Sequence, residues 1–212
     1  MSKYSLHGFS ESGNSYKAAL MLKLIGADWE PIFVDFGKGA TREKGFRDTN
    51  IMGEVPVLIH HRSEGDFTLS QSGAILTYLA KRSGKFGGTD EMEDLEILRW
   101  ILFDNHKLTG YTAAARFMRT FMGKADEPET KFMHARALSA FKVLDAHLNR
   151  RKWVTLDRPT IADISLCGYL FWPDHMGISW DQYPNIKSWL ENIQAIEGWV
   201  PSEELLPSAL TG

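Results

Sequence analysis

Pro56 stands directly before the apolar run Val57-Leu58-Ile59. A proline lacks a backbone N–H, so it is tolerated at the first residue or edge of a strand but not inside a ladder. The run therefore reads as a strand that begins at its proline. A Val55–Pro56 bond in the cis form would turn the amide and carbonyl of Val55 outward, where an extended peptide could pair with them. Fifteen residues after the proline comes Gln71-Ser72-Gly73-Ala74-Ile75, which places Ser70, Gln71 and Ser72 where a helix begins. The first N–H groups of a helix have no intrahelical partner and favour an anion. A peptide-pairing edge beside such a helix start predicts a site for a small anionic peptide.

The surrounding pattern predicts an α/β unit. Tyr4 to His7 reads as a first strand, closed off by the loop Gly8 to Asn14. Ala18, Met21, Leu22 and Ile25 then recur at helical spacing, with Gly26 as the C-cap. Pro31 to Val34 reads as a second strand, and a strand–helix–strand unit makes its two strands parallel. Arg42 to Thr49 fits a short helix or an irregular loop. Pro56 to His60 and Asp66 to Leu69 read as a hairpin turning at residues 62–65, and Ile75, Leu76 and Leu79 mark a helix that stops near Gly84. The order predicts a four-stranded mixed sheet with helices against it. The glycine-rich stretch 83–89 reads as a linker. Beyond residue 90 only helical stripes remain: Met92, Leu95, Leu98 and Leu102; Ala137, Phe141, Leu144 and Leu148; a third after Thr160; and Ile186, Trp189, Leu190 and Ile193. Thr160-Ile161-Ala162-Asp163 reads as a capping box of structural purpose. The expected division is 1–83 and 90–212.

Composition narrows the function classes. At 43% hydrophobic content, 212 residues can bury a proper core, and a net charge of −3 offers no basic field for nucleic acid. Cys167 is the single cysteine, which excludes an internal disulfide or a CxxC pair. No apolar run approaches the roughly 18 residues of a membrane span, nor does the start resemble a signal peptide. A soluble, cytoplasmic protein is expected.

Together the loop Ser12-Gly13-Asn14-Ser15-Tyr16-Lys17, the Val55-Pro56 pair, the helix start at Gln71-Ser72 and the Thr160/Asp163 box resemble a cytosolic glutathione transferase. The resemblance, to bacterial theta- and nu-like members of serine type, covers essentially the whole chain. It implies a thioredoxin-like N-terminal domain that binds glutathione, an all-α helical-bundle C-terminal domain that contributes an electrophile pocket, and a homodimer. No metal is implied.

In such proteins a hydroxyl at the start of the first helix hydrogen-bonds the glutathione sulfur. Only the thiolate is strongly nucleophilic, and a hydroxyl plus a helix dipole can favour it. By spacing alone Ser12 reads as a helix N-cap and Asn14 as a turn former; the resemblance makes Ser12 the sulfur donor, chosen over Ser10 and Ser15, with Asn14 as helper. Val55 is implied to pair with the cysteinyl portion, Pro56 to hold that edge, and Gln71 and Ser72 to take the γ-glutamyl end. Relatives often carry glutamate where Gln71 stands, and histidine, lysine or glutamine where Glu54 stands. Glu54 is thus expected to repel the glycine carboxylate, with Lys38 or Arg47 supplying a cation. Phe9, Tyr111, Arg116 and Phe117 are the candidates to line the electrophile pocket, Arg116 toward an anionic group.

The chemistry expected is attack of the glutathione thiol on an electrophilic, apolar or aromatic small molecule. The alternative is a non-catalytic ligand-binding or regulatory protein on the same fold. A thioredoxin-type disulfide oxidoreductase would need a cysteine in the first loop, and none precedes Cys167.

Overall fold

A computed structural model describes residues 3–209. Its chain forms two compact units, one running to Lys85 and resuming at Glu197, the other Phe86–Ile196. The boundary falls inside the glycine-rich stretch 83–89. The tail departs from the expected 90–212 division: residues 197–209 group with the first unit, because their hydrogen bonds go back to the first loop and helix.

In the first unit, β1 (Tyr4–Gly8) pairs in parallel with β2 (Trp29–Phe33) and antiparallel with β3 (Val57–His60), and β3 continues into β4 (Phe67–Ser70). The sheet order is β2-β1-β3-β4, the mixed four-stranded arrangement that the pattern predicts. Helix α1 spans Gly13–Leu24, and the ambiguous stretch resolves into a 3-10 turn at Ala40–Arg42 and a short helix α2 (Lys44–Thr49). Helix α3 spans Ser72–Ser83 and packs with α1. Almost every residue of α1 is buried, not just one stripe. Its further cover comes from the tail, whose helix α10 (Ser202–Leu205) packs against it. The end of β1 approaches α1 closely: a Cβ at Gly8 would lie 2.6 Å from Ser15 Oγ.

Every regular element described in the second unit is helical. A single helical run comprises α4 (Glu91–Phe103), a wide π turn at Asp104–Leu108, α5 (Thr109–Arg116) and a second π turn at Phe117–Phe121. It is followed by α6 (Pro128–Leu148), α7 (Ile161–Cys167), α8 (Pro173–Met176) and α9 (Pro184–Gln194). The stripes on α6, α7 and α9 are core. The stripe on α4 is not. Met92, Leu95, Leu98 and Leu102 are 73%, 51%, 45% and 58% exposed, while Ile97, Trp100 and Ile101 form the inward face.

The capping box is present in both directions. Thr160 Oγ1 accepts from the amide of Ala162, and Asp163 Oδ2 accepts from the amide and hydroxyl of Thr160. Asp163 Oδ1 also accepts from the Val154 amide and the Trp189 indole at 2.9 Å each, so the box ties α7 to α9 and to the preceding loop. Cys167 is fully buried.

Candidate functional site

Two helix starts converge in the first unit. Asn14, in the first turn of α1, accepts at Oδ1 from the Ser72 hydroxyl at 3.3 Å, and Ser72 is the first residue of α3. The same Oδ1 accepts from the Lys17 ammonium at 3.0 Å. With its oxygen taken twice, the Asn14 amide presents its NH2 group as the donor side. The starts of two helices thus meet at one place, and helix starts favour negative charge.

Geometry also separates the three serines. Ser15 is fully buried and faces Gly8. Ser10 has its amide and carbonyl engaged by the tail, at 2.9 Å to the Pro207 carbonyl and 2.6 Å from the Ser202 hydroxyl. Ser12 is the N-cap of α1, and its Oγ accepts from the Ser15 amide at 3.2 Å. That bond occupies a lone pair and leaves the hydroxyl proton to be donated. The capping role and a donating role are therefore compatible in the same side chain.

The second part of the site is the edge leading into β3. The Val55–Pro56 bond is cis. Gly53, at φ +65°, is required there: a Cβ would lie 3.0 Å from both an Arg47 guanidinium nitrogen and the Thr41 carbonyl. The Glu54 carbonyl accepts from Asn50 Nδ2 at 2.8 Å, which fixes the backbone before Val55. The Glu54 carboxylate reaches toward α3, where Gln71 Nε2 donates to it at 3.2 Å. Gln71 itself sits at φ 69°, a conformation costing an L side chain roughly 1–3 kcal/mol and usually retained for function. Lys38 is turned onto Asp35 at 3.1 Å and is almost wholly exposed. Its hydrogen bonds hold the Asp35 carboxyl below its ordinary range. Arg47 lies beside Gly53, with one guanidinium nitrogen 3.4 Å from the Ile51 carbonyl.

The remaining candidates divide between the units. Phe9 is buried in the first loop and stacked on Phe36, with centroids 5.3 Å apart. In the second unit Tyr111 stands edge-on to Phe132, with the Arg136 guanidinium 5.4 Å from its ring centre. Phe117 is exposed. Arg116, expected to face an anion, is only 2% exposed. Its guanidinium lies 4.2 Å from the centre of the Trp172 ring, and Nε donates to His175 Nδ1 at 2.9 Å. Burial and the Arg116 charge, opposed by Asp174, push the His175 pKa down, consistent with a neutral imidazole accepting that bond. Lys17 is not among the expected site residues, yet it holds the Asn14 side chain at 3.0 Å. Lys17 is fully buried in α1, directly before the apolar run Ala18–Leu22, and a charge at the head of such a run is the signal that would have found it. Among the described residues no group of three or more His, Cys, Asp or Glu side chains is arranged to hold a metal ion.

Residues 2–81 match the family model for the glutathione S-transferase N-terminal domain, and residues 105–197 the one for the C-terminal domain. Glutathione S-transferase 3 of Zea mays is 30% identical over 174 residues, covering 77% of this chain and 75% of its own. The disulfide-bond oxidoreductase YfcG of Escherichia coli is 26% identical, covering 88% of each chain. A crystal structure of a glutathione S-transferase from Pseudomonas fluorescens superimposes with a TM-score of 0.88 at 32% identity, covering 95% of this chain and 99% of that one. The chain belongs to the glutathione S-transferase family.

Proposed function

We propose that this protein is a glutathione transferase of serine type, which ionises the glutathione thiol and directs it at an apolar or aromatic electrophile. The observation that carries the reading is the meeting of the α1 and α3 starts through Asn14 and Ser72, beside the Ser12 hydroxyl. Ser12 donates to the sulfur, the NH2 group of Asn14 assists, and Lys17 holds Asn14 in that orientation. A hydroxyl donating to a charged acceptor contributes about 1.5–3 kcal/mol, equivalent to roughly one to two pKa units. Starting from a free thiol near about 8.5, this is enough to populate the thiolate at neutral pH.

The Val55 backbone pairs with the cysteinyl portion of glutathione, and Ser72 binds its γ-glutamyl carboxylate. Glu54 takes a different role from the one its position implied. Bonded to Gln71, its carboxylate supplies the negative charge that Gln71 lacks, and so faces the γ-glutamyl ammonium. Arg47, adjacent to Gly53, is better placed for the glycine carboxylate than Lys38, which is held by Asp35. Tyr111 and Phe117 are the apolar side chains that the second unit offers an electrophile, and Arg116 acts through packing. The protein works in the cytoplasm as a homodimer, the exposed apolar stripe on α4 being the surface a second copy covers.

The test is retention on immobilised glutathione, followed by conjugation of a generic aryl halide. The unaltered protein should be retained and turn over. Ser12→Ala should raise the kinetic pKa of bound glutathione by about one to two units and lower turnover below that pKa by about 10- to 100-fold. Its KM for glutathione should stay close to that of the unaltered protein. Absence of both retention and turnover at millimolar glutathione would favour a non-catalytic role on this fold, a second reading kept open by the departures at Glu54 and Gln71. Turnover that survives Ser12→Ala but not Asn14→Ala would transfer the donor role to Asn14.

A further inference from the structure

The tail of the first unit makes more specific contacts with the first loop than packing requires. Before Ser12, the Ser10 amide donates to the Pro207 carbonyl at 2.9 Å and the Ser10 carbonyl accepts from the Ser202 hydroxyl at 2.6 Å. Next to it, Glu11 accepts from the Ala209 amide at 3.0 Å through one oxygen and from the Ser208 hydroxyl through the other. After Ser12, the Tyr16 hydroxyl donates to the Val200 carbonyl at 2.9 Å. Ser202 and Leu206 are buried between these anchors. The tail therefore grips the chain on both sides of Ser12, whose own bonds are local: its amide donates to the Phe9 carbonyl, its carbonyl accepts from the Tyr16 amide and its Oγ accepts from the Ser15 amide.

We propose that residues 200–209 form a strap that positions Ser12, with Glu11 as its principal clamp. Glu11 is a positioning residue: it touches the strap and acts on the thiol only through the placement of Ser12. A hydroxyl cannot shift a thiol's pKa unless its proton is aimed within hydrogen-bond distance, so slack of about 1 Å in the loop removes most of the effect. The strap supplies the stiffness that a short glycine-bounded loop lacks. The inference rests on the assignment of Ser12 as sulfur donor.

The test compares the full-length protein with Glu11→Ala, Glu11→Gln and Ser202→Ala. Two readouts are used: amide hydrogen exchange at residues 9–12, and the pKa of the bound glutathione thiol followed by thiolate absorbance. In Glu11→Ala, exchange of the Ser10 and Ser12 amides should quicken, the thiol pKa should rise toward that of Ser12→Ala, and kcat should fall about five- to tenfold with KM for glutathione within about twofold. Glu11→Gln, which keeps an acceptor for the Ala209 amide, should recover part of each loss. Ser202→Ala, which removes a single strap bond elsewhere, should show a weaker form of the same pattern. Unchanged exchange in both Glu11→Ala and Ser202→Ala would overturn the strap. Faster exchange with an unshifted thiol pKa would overturn its link to Ser12, provided Ser12→Ala does shift that pKa. If Ser12→Ala shifts nothing, the donor assignment fails instead and takes the positioning role with it.

Discussion

Glu54 changes meaning between the sequence and the structure. From its position before Val55-Pro56 it reads as a charge that repels the glycine carboxylate. In three dimensions its side chain turns to Gln71 at 3.2 Å, and a carboxylate beside an amide restores the charge that many relatives carry at position 71. The two readings predict opposite results for Glu54→Gln. If Glu54 holds the γ-glutamyl ammonium, KM for glutathione should rise by about three- to tenfold, as for loss of one charged hydrogen bond partly screened by solvent. A fall in KM would restore the repulsion reading. Gln71 offers a companion measurement. Because its φ of 69° is unfavourable for glutamine, Gln71→Gly should stabilise the fold by up to about 1 kcal/mol in thermal or urea unfolding while weakening glutathione binding. Stability gained without loss of affinity would place Gln71 outside the site.

Helix ends decide most of what the elements do here. Asp90 caps α4 by accepting from the Glu93 amide at 2.9 Å, and Glu93 in turn accepts from Thr89 and from Arg158 at 2.6 Å. The Arg158 hydrogen bond, followed by those from Thr89, lowers the Glu93 pKa from 4.5 to about 2. A depressed carboxylate stabilises the fold fully above its ordinary pKa, and that contribution drains away as pH falls from 4.5 toward about 2. NMR titration should place Glu93 near the bottom of that window, and Arg158→Ala should return it toward 4.5; an ordinary titration in the unaltered protein would dismiss the clasp. The box at Asp163 is weightier. Asp163→Ala strands buried donors on Thr160, Val154 and Trp189 and should cost about 3 kcal/mol or more in urea unfolding. These ends also show what could be read beforehand. The Thr160/Asp163 box, the proline before β3 and the break near Gly84 are local signals written in adjacent residues, and each stands where it was expected. The outward sense of the α4 stripe was not legible, because periodicity reports that one face is apolar without saying what covers it. Nor was the short helix within 42–49, where neither period nor cap is strong. The candidate site divided the same way: Ser12 and Ser72 announce themselves as helix starts, whereas the Glu54–Gln71 pairing joins residues 17 apart and exists only once the chain has folded.

The exposed α4 stripe bears on how many copies work together. Four adjacent apolar side chains, two of them more than half exposed besides Met92, are an unusual surface for an isolated chain. Light scattering after size exclusion should find a dimer, and Leu95→Glu with Leu102→Glu should yield a monomer that keeps its far-ultraviolet dichroism. A monomer in the unaltered protein would leave the stripe without this role. The tail has a consequence of another kind. Glu11 and Ser208 bond across 197 positions of sequence, and the whole helical unit lies between the two stretches of chain that make up the first unit. Contacts so distant form last, after local helices and hairpins have closed. On a ribosome the sheet, α1 and the cis proline edge can all be in place while the Ser12 loop still lacks its clamp. If Ser12 and the strap act as proposed, a nascent or truncated chain would hold glutathione yet activate it poorly until residues 200–209 have emerged.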